Sequence, residues 1–100
     1  MRVIVVGAGK VGYDIAKRLS EEGHDVTLVD KLDQNLREAA ARLDIATLDG
    51  NGASPTVLEQ AGVERADMLI AVTDIDEVNM IACFTAKQYG VGICCARVRD

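Results

Sequence analysis

Three glycines stand within six residues in Gly7-Ala8-Gly9-Lys10-Val11-Gly12, and an acid, Asp30, follows Gly12 by 18 positions. The spacing G-x-G-x-x-G suits the holding of a pyrophosphate. The first glycine allows a tight turn, the second lets backbone approach the phosphates, and the third lets a helix close on a strand. The N–H groups opening that helix carry the equivalent of about half a positive charge, an anion site that needs no basic side chain and to which Lys10 adds charge. An acid about 20 residues further on accepts hydrogen bonds from a ribose diol. Its charge repels a 2′-phosphate and so favours NAD over NADP, a preference that Lys31 beside it softens. The motif reads a ribose and a pyrophosphate, so ATP or ADP satisfies the same contacts as NAD or NADH. Glycine-rich turns also serve plain strand-to-helix packing, and a strand-end acid is also at home in water. The two features together favour a nucleotide.

Other residues fall around this pair. Asn51, in Gly50-Asn51-Gly52, offers a donor and an acceptor to an adenine edge, or else belongs to a simple turn. Thr73 and Asp74 open the acidic run Thr73-Asp74-Ile75-Asp76-Glu77. One reading makes Thr73 an N-cap with the acids complementing a helix dipole; the other puts Thr73 and Asp74 at the switch point facing the second half of a dinucleotide. Arg97 and Arg99 share one strand face, either solvated or, for Arg97, leaning toward a ligand phosphate. His24 has no second histidine or suitable cysteine near it and reads as a turn residue. Cys94 and Cys95, adjacent in a strand, point to opposite faces, and without a C-x-x-C or Cys/His set they read as small core residues.

The elements that position these residues alternate. Residues 2–6 form an apolar strand that ends at Gly7, and Val11, Ile15 and Leu19 mark one face of the helix after it. Residues 25–29 give a second strand with Asp30 at its end; Leu36, Ala39, Ala40 and Leu43 mark a second helix, and residues 45–48 a third strand. Ser54 as N-cap and Pro55 at the first helical position open a third helix. A strand at 66–73, a helix at 75–88 closed by Gly90, and a strand at 91–98 complete the pattern. Right-handed crossovers turn it into an α/β, Rossmann-like doubly wound parallel sheet of about five strands, order 3-2-1-4-5, with helices on both faces.

At 100 residues the chain makes one domain, too short for a separate substrate domain. It is 49% hydrophobic with three aromatic residues and no Trp, so Val, Ile, Leu and Ala build the core. A net charge of −5 and no Lys/Arg block argue against nucleic acid and anionic membrane surfaces. No apolar run approaches the roughly 20 residues of a membrane span, no signal-peptide core opens the chain, and three cysteines in no framework spacing suit a reducing, cytoplasmic compartment.

RVIVVGAGKVG, HDVTLVDKLD, the GNGASPTVL loop, ADMLIAVTDIDEVNMIAC and the closing CARVRD together resemble the N-terminal nucleotide-binding domain of TrkA-type potassium-uptake regulators, the RCK or KTN domains. The combination of G-N-G after strand three with A-V-T-D and E-V-N-M after strand four sets this family apart from ordinary dehydrogenases. The resemblance implies a cytoplasmic regulatory subunit, peripheral at the inner face of the membrane. It docks on a membrane potassium transporter, gates it through nucleotide binding, forms dimers within a ring, and catalyses nothing. By position, Gly7, Gly9, Lys10, Val11 and Gly12 would hold the phosphates, Asp30 the ribose, Lys31 and Asn51 the adenine surroundings, and Thr73 with Asp74 the distal half. Set against full-length members of that family, these residues are expected to end before the sixth strand, the crossover helix and the C-terminal ligand domain, which puts dimer and ring formation in question for these residues alone. The competing reading, the cofactor half of an NAD-dependent oxidoreductase, lacks an acid–base residue at the nicotinamide end and loops long enough for a substrate pocket.

Overall fold

Val3, Ile4, Val5 and Val6 are β-branched and nearly fully buried, the mark of a strand covered on both faces. They belong to β1 (Arg2–Val6), the middle of a sheet completed by β2 (Asp25–Asp30), β3 (Ala46–Asp49), β4 (Met68–Ala71) and β5 (Ile93–Ala96). The computed structural model describes residues 1–99; Asp100, which closes CARVRD, lies outside them. The order is β3-β2-β1-β4-β5 and every pair is parallel, as expected from the alternation of elements. Val6 is level with both Val29 and Ala71, which brings the carboxyl ends of the three central strands to one edge.

Alternate residues of β1 feed two cores. Val3 and Val5 pack with Leu28, Ala16, Leu36 and Ala39, beneath α1 (Lys10–Glu21) and α2 (Asp33–Arg42). Ile4 and Val6 pack with Val29, Leu58, Ala82 and Ala86, beneath α3 (Pro55–Gln60) and α4 (Asp76–Gln88). Ser54 caps α3, its Oγ accepting from the Val57 amide at 3.4 Å, with Pro55 in the first turn as expected. Among the described residues no helix is long and apolar enough to cross a membrane.

Three local expectations change. The buried residues of α1 are Gly12 and Ala16, with Ile15 and Leu19 on their flank, whereas Val11 is 43% exposed. Small residues let the helix lie close on the sheet, and that turns Val11 out of the core. Leu36 and Ala39 are buried in α2 but Ala40 is exposed. β4 and the edge strand β5 are shorter than expected, Met68–Ala71 and Ile93–Ala96, and the residues beyond their carboxyl ends are engaged by a side-chain network at the sheet edge. A 3-10 turn at Val63–Arg65, without a marked signal in the sequence, leads into β4.

Candidate functional site

The glycine turn leaves β1 at the sheet's carboxyl edge. Gly7 has φ +109°, a conformation that side chains rarely adopt, and a β-carbon there would lie 3.0 Å from the backbone of Val72 and Thr73. A β-carbon on Gly12 would run into the carbonyl of Gly7. Packing therefore dictates both of these glycines. Gly9 differs: it is the N-cap of α1 with φ −70° and ψ −168°, ordinary extended values, and a β-carbon there would meet nothing within 4 Å. Among the described residues no side chain caps α1, so the N–H groups of its first turn have no side-chain acceptor there.

Asp30 ends β2 beside this turn. One carboxylate oxygen accepts from the Ala8 amide at 2.6 Å and the other from the Leu32 amide at 2.7 Å. A carboxylate has about four acceptor sites, so each oxygen keeps capacity for one more donor. The Gly50-Asn51-Gly52 loop is hung on the same strand end through a bond from the Gly50 amide to the Asp30 carbonyl, 2.9 Å. A side chain on Gly52 would collide with Val6, so the loop lies directly on the end of β1. Asn51 Oδ1 accepts from the Ala53 amide at 2.9 Å, closing its own turn. Its acceptor thus serves the loop, and Nδ2 is the group without a partner among the described residues. Lys10 pairs with Asp14 at 3.2 Å on the exposed side of α1.

On the far side of Gly7, Thr73 is not the cap of α4; Ile75 holds that position, with no side-chain cap bond. Thr73 is instead bound by Asn79, which is fully buried. Asn79 Oδ1 accepts from the Thr73 amide at 2.9 Å and from its hydroxyl at 2.7 Å, and Asn79 Nδ2 donates to the carbonyls of Thr73 at 3.0 Å and Arg97 at 2.9 Å. Arg97 Nη2 donates to the carbonyls of Val72 and Thr73, at 2.8 and 2.9 Å, and stands 3.5 Å from Asp74. Its Nε is buried without a partner among the described residues. Arg99 reaches Asp74 at 2.8 Å.

These elements enclose one cleft of about 350 Å³ across the carboxyl edge. Gly7, Gly9, Lys10, Val11, Asp30, Lys31, Asn51, Thr73, Asp74 and Arg97 all line it, and Gly12 stands behind it as packing. Leu32, Asn35, Ile75 and Val78 also line it and carried no weight in the sequence reading. Leu32 had a usable signal, a lone large apolar residue between Lys31 and Asp33, and it is 63% exposed in the structure. Asn79 had one too: it stands three, four and seven residues before Ala82, Cys83 and Ala86, in phase with the buried face of α4.

His24 lies away from the cleft, its Nδ1 3.2 Å from the N-terminal ammonium. Cys94 packs against the core and Cys95 is exposed, the opposite faces expected, so only Cys94 is the core residue that both were expected to be: β5 is the edge strand and the outer face of Cys95 stays uncovered. Burial, reinforced by the neighbouring Cys94 and Cys95, pushes the Cys83 thiol up to about 11. Burial also raises Cys94. Among the described residues no group of three or more His, Cys, Asp or Glu is placed to hold a metal ion.

The TrkA-N domain family model matches residues 3–100. The chain is similar to the Trk system potassium uptake protein TrkA of Halomonas elongata, 56% identical over 86 residues, covering 86% of this chain and 19% of that protein. The TrkA protein of Azorhizobium caulinodans is 46% identical over 100 residues, covering 99% of this chain and 22% of that protein. The chain therefore spans about a fifth of the length of these relatives. Among solved structures, the Shewanella denitrificans Kef CTD in AMP bound form superposes with a TM-score of 0.75 at 21% identity, covering 93% of this chain and 55% of that one. That likeness is one of fold.

Proposed function

The chain belongs to the TrkA-N domain family, and from that premise we propose that it is an NAD(H)-binding regulatory module of a Trk-type potassium uptake system. In this reading it is not a catalyst. A nucleotide in the cleft shifts the balance between two arrangements of paired modules, and a membrane potassium transporter, met at its cytoplasmic face, responds to that balance. A ligand can shift such a balance only by its difference in affinity for the two states, typically about 1 to 3 kcal/mol.

The observation that carries the nucleotide reading is Gly9. Its backbone is accessible to any residue and the space around it is open, so nothing inside the protein calls for glycine. Serine or aspartate there would also cap α1. The missing side chain is accounted for by something outside the chain approaching the helix end closely, as a pyrophosphate does. Asp30 supports the same reading, since backbone donors hold its carboxylate in place while acceptor capacity remains for a ribose diol. The glycine turn would hold the phosphates, Lys31 and Asn51 would border the adenine, and Thr73, Asp74 and Arg97 would face the distal half.

ATP or ADP would make the same ribose and phosphate contacts, so the test sets the nucleotides side by side. Isothermal titration of the chain against NADH, NAD, NADPH, ATP and ADP is expected to show NADH or NAD bound most tightly and NADPH more weakly. Tighter ATP or ADP binding would make the module an energy-charge sensor on the same grip, and no binding would overturn the proposal.

A further inference from the structure

We infer that Asn79 is a positioning residue of the nucleotide cleft: through Thr73 and Arg97 it fixes the wall that faces the part of the ligand beyond its first phosphate. The inference rests on the nucleotide reading above.

Asn79 occupies a core position of α4, in phase with Ala82, Cys83 and Ala86, where an apolar side chain would avoid the cost of desolvating an amide. That cost is offset because its amide makes four hydrogen bonds, three to Thr73 and one to the carbonyl of Arg97. Every one of those bonds goes to a residue lining the cleft, and none to the rest of the core. Thr73 is held by its amide, hydroxyl and carbonyl together. It thus forms a wall whose polar atoms are already engaged, and it holds that wall against Gly7, where even a β-carbon would lie 3.0 Å from the Thr73 nitrogen. The carbonyl of Arg97 is bound by Asn79, and its guanidinium returns to the carbonyls of Val72 and Thr73. Asn79 thereby joins the ends of β4 and β5 into one unit and sets where Asp74 and the Arg97 side chain stand. The adenosine side of the cleft, Asp30 and the Gly50–Gly52 loop, is anchored by separate bonds.

This division of the cleft supplies the test. Wild type and Asn79→Ala are titrated with AMP, ATP and NADH at a temperature where circular dichroism shows both folded. The reporter is whichever of ATP and NADH the wild type binds more tightly. Asn79→Ala is expected to weaken the reporter by about tenfold or more, the scale of one to two lost hydrogen bonds, and to leave AMP within about twofold. Amide exchange at Thr73 is expected to speed up in the variant while that of Val5 is unchanged. An equal loss for AMP and the reporter, or no loss, would overturn the inference and reduce Asn79 to a fold-stabilising residue. A wild type that binds AMP as tightly as both longer ligands would overturn it too, because the wall would then contribute nothing. A wild type that binds none of the three overturns the nucleotide reading, and the inference with it, in the first titration. If Asn79→Ala fails to fold, Thr73→Val, which removes the hydroxyl's bonds to Asn79 and to Ile75 and leaves the amide and carbonyl bonds to Asn79, carries the same comparison with a severalfold loss expected for the reporter.

Discussion

The Asp30 carboxylate accepts the amide of Ala8 at 2.6 Å, so the acid that ends β2 is tied to the glycine turn that leaves β1. One side chain thus shapes the turn and presents an acceptor to whatever the turn holds. Asp30→Ala is expected to weaken NADH binding by about 1 to 3 kcal/mol, the scale of a lost hydrogen bond to a charged group. With the repelling charge gone, NADPH should lose less than NADH does. Titration of both ligands checks this, and unchanged NADH affinity would remove Asp30 from the site.

Gly9 and Gly12 separate binding from folding. A β-carbon on Gly12 meets the backbone carbonyl of Gly7, which cannot move aside as a side-chain tip can. Gly12→Ala should therefore destabilise the fold by at least about 3 kcal/mol in urea unfolding. Gly9→Val finds open space and an allowed backbone, so its unfolding midpoint should stay close to wild type while nucleotide affinity drops by more than for Asp30→Ala. Binding that survives Gly9→Val would sink the glycine-turn grip.

The sheet order and most of the cleft are legible in the sequence because both depend on local signals. Apolar runs ending in glycine or in Asp30 mark strand ends, and parallel connection brings those ends to one edge. What stays hidden depends on partners distant in sequence. β5 stops at Ala96, and beyond it the carbonyl and side chain of Arg97 are taken by Asn79, Val72 and Thr73. The exposure of Val11 follows from how closely Gly12 lets α1 approach the sheet, which an i, i+4, i+8 count does not register. The capping role read for Thr73 fails for a related reason: its hydroxyl donates to Asn79, six residues on and inside the core.

The three thiols should report local opening in order of burial. Cys95 is exposed and is expected to react first with a disulfide reagent at pH 8. Cys83 is buried and its thiol is pushed from 9.0 to about 11. Thiolate depletion alone slows it about a hundredfold, so it should be labelled only through unfolding. The same shift gives stability a direction with pH. Below 9 the thiol is protonated in both states; between 9 and about 11 the unfolded chain releases a proton that the folded chain keeps, so stability falls as pH rises through that window. Urea unfolding at pH 8 and pH 10.5, with Cys83→Ala as the control that loses this component, checks the sign.

Asn51 allows the loop's role as a turn to be parted from its role as a ligand contact. Its Oδ1 is used by the Ala53 amide, whereas Nδ2 has no partner among the described residues. Asn51→Asp keeps an oxygen for Ala53, deletes the amide donor and adds a charge to a cleft that already holds Asp30. Stability should therefore stay within about 0.5 kcal/mol of wild type, as for a surface change that preserves the local bond. Nucleotide affinity should fall by about 1 to 2 kcal/mol through the lost donor. Asn51→Ala, which also opens the turn, should lose both. Paired unfolding and titration measurements on the two variants read the difference; if Asn51→Asp binds NADH as tightly as wild type, Gly50-Asn51-Gly52 is a turn laid on the end of β1 and nothing more.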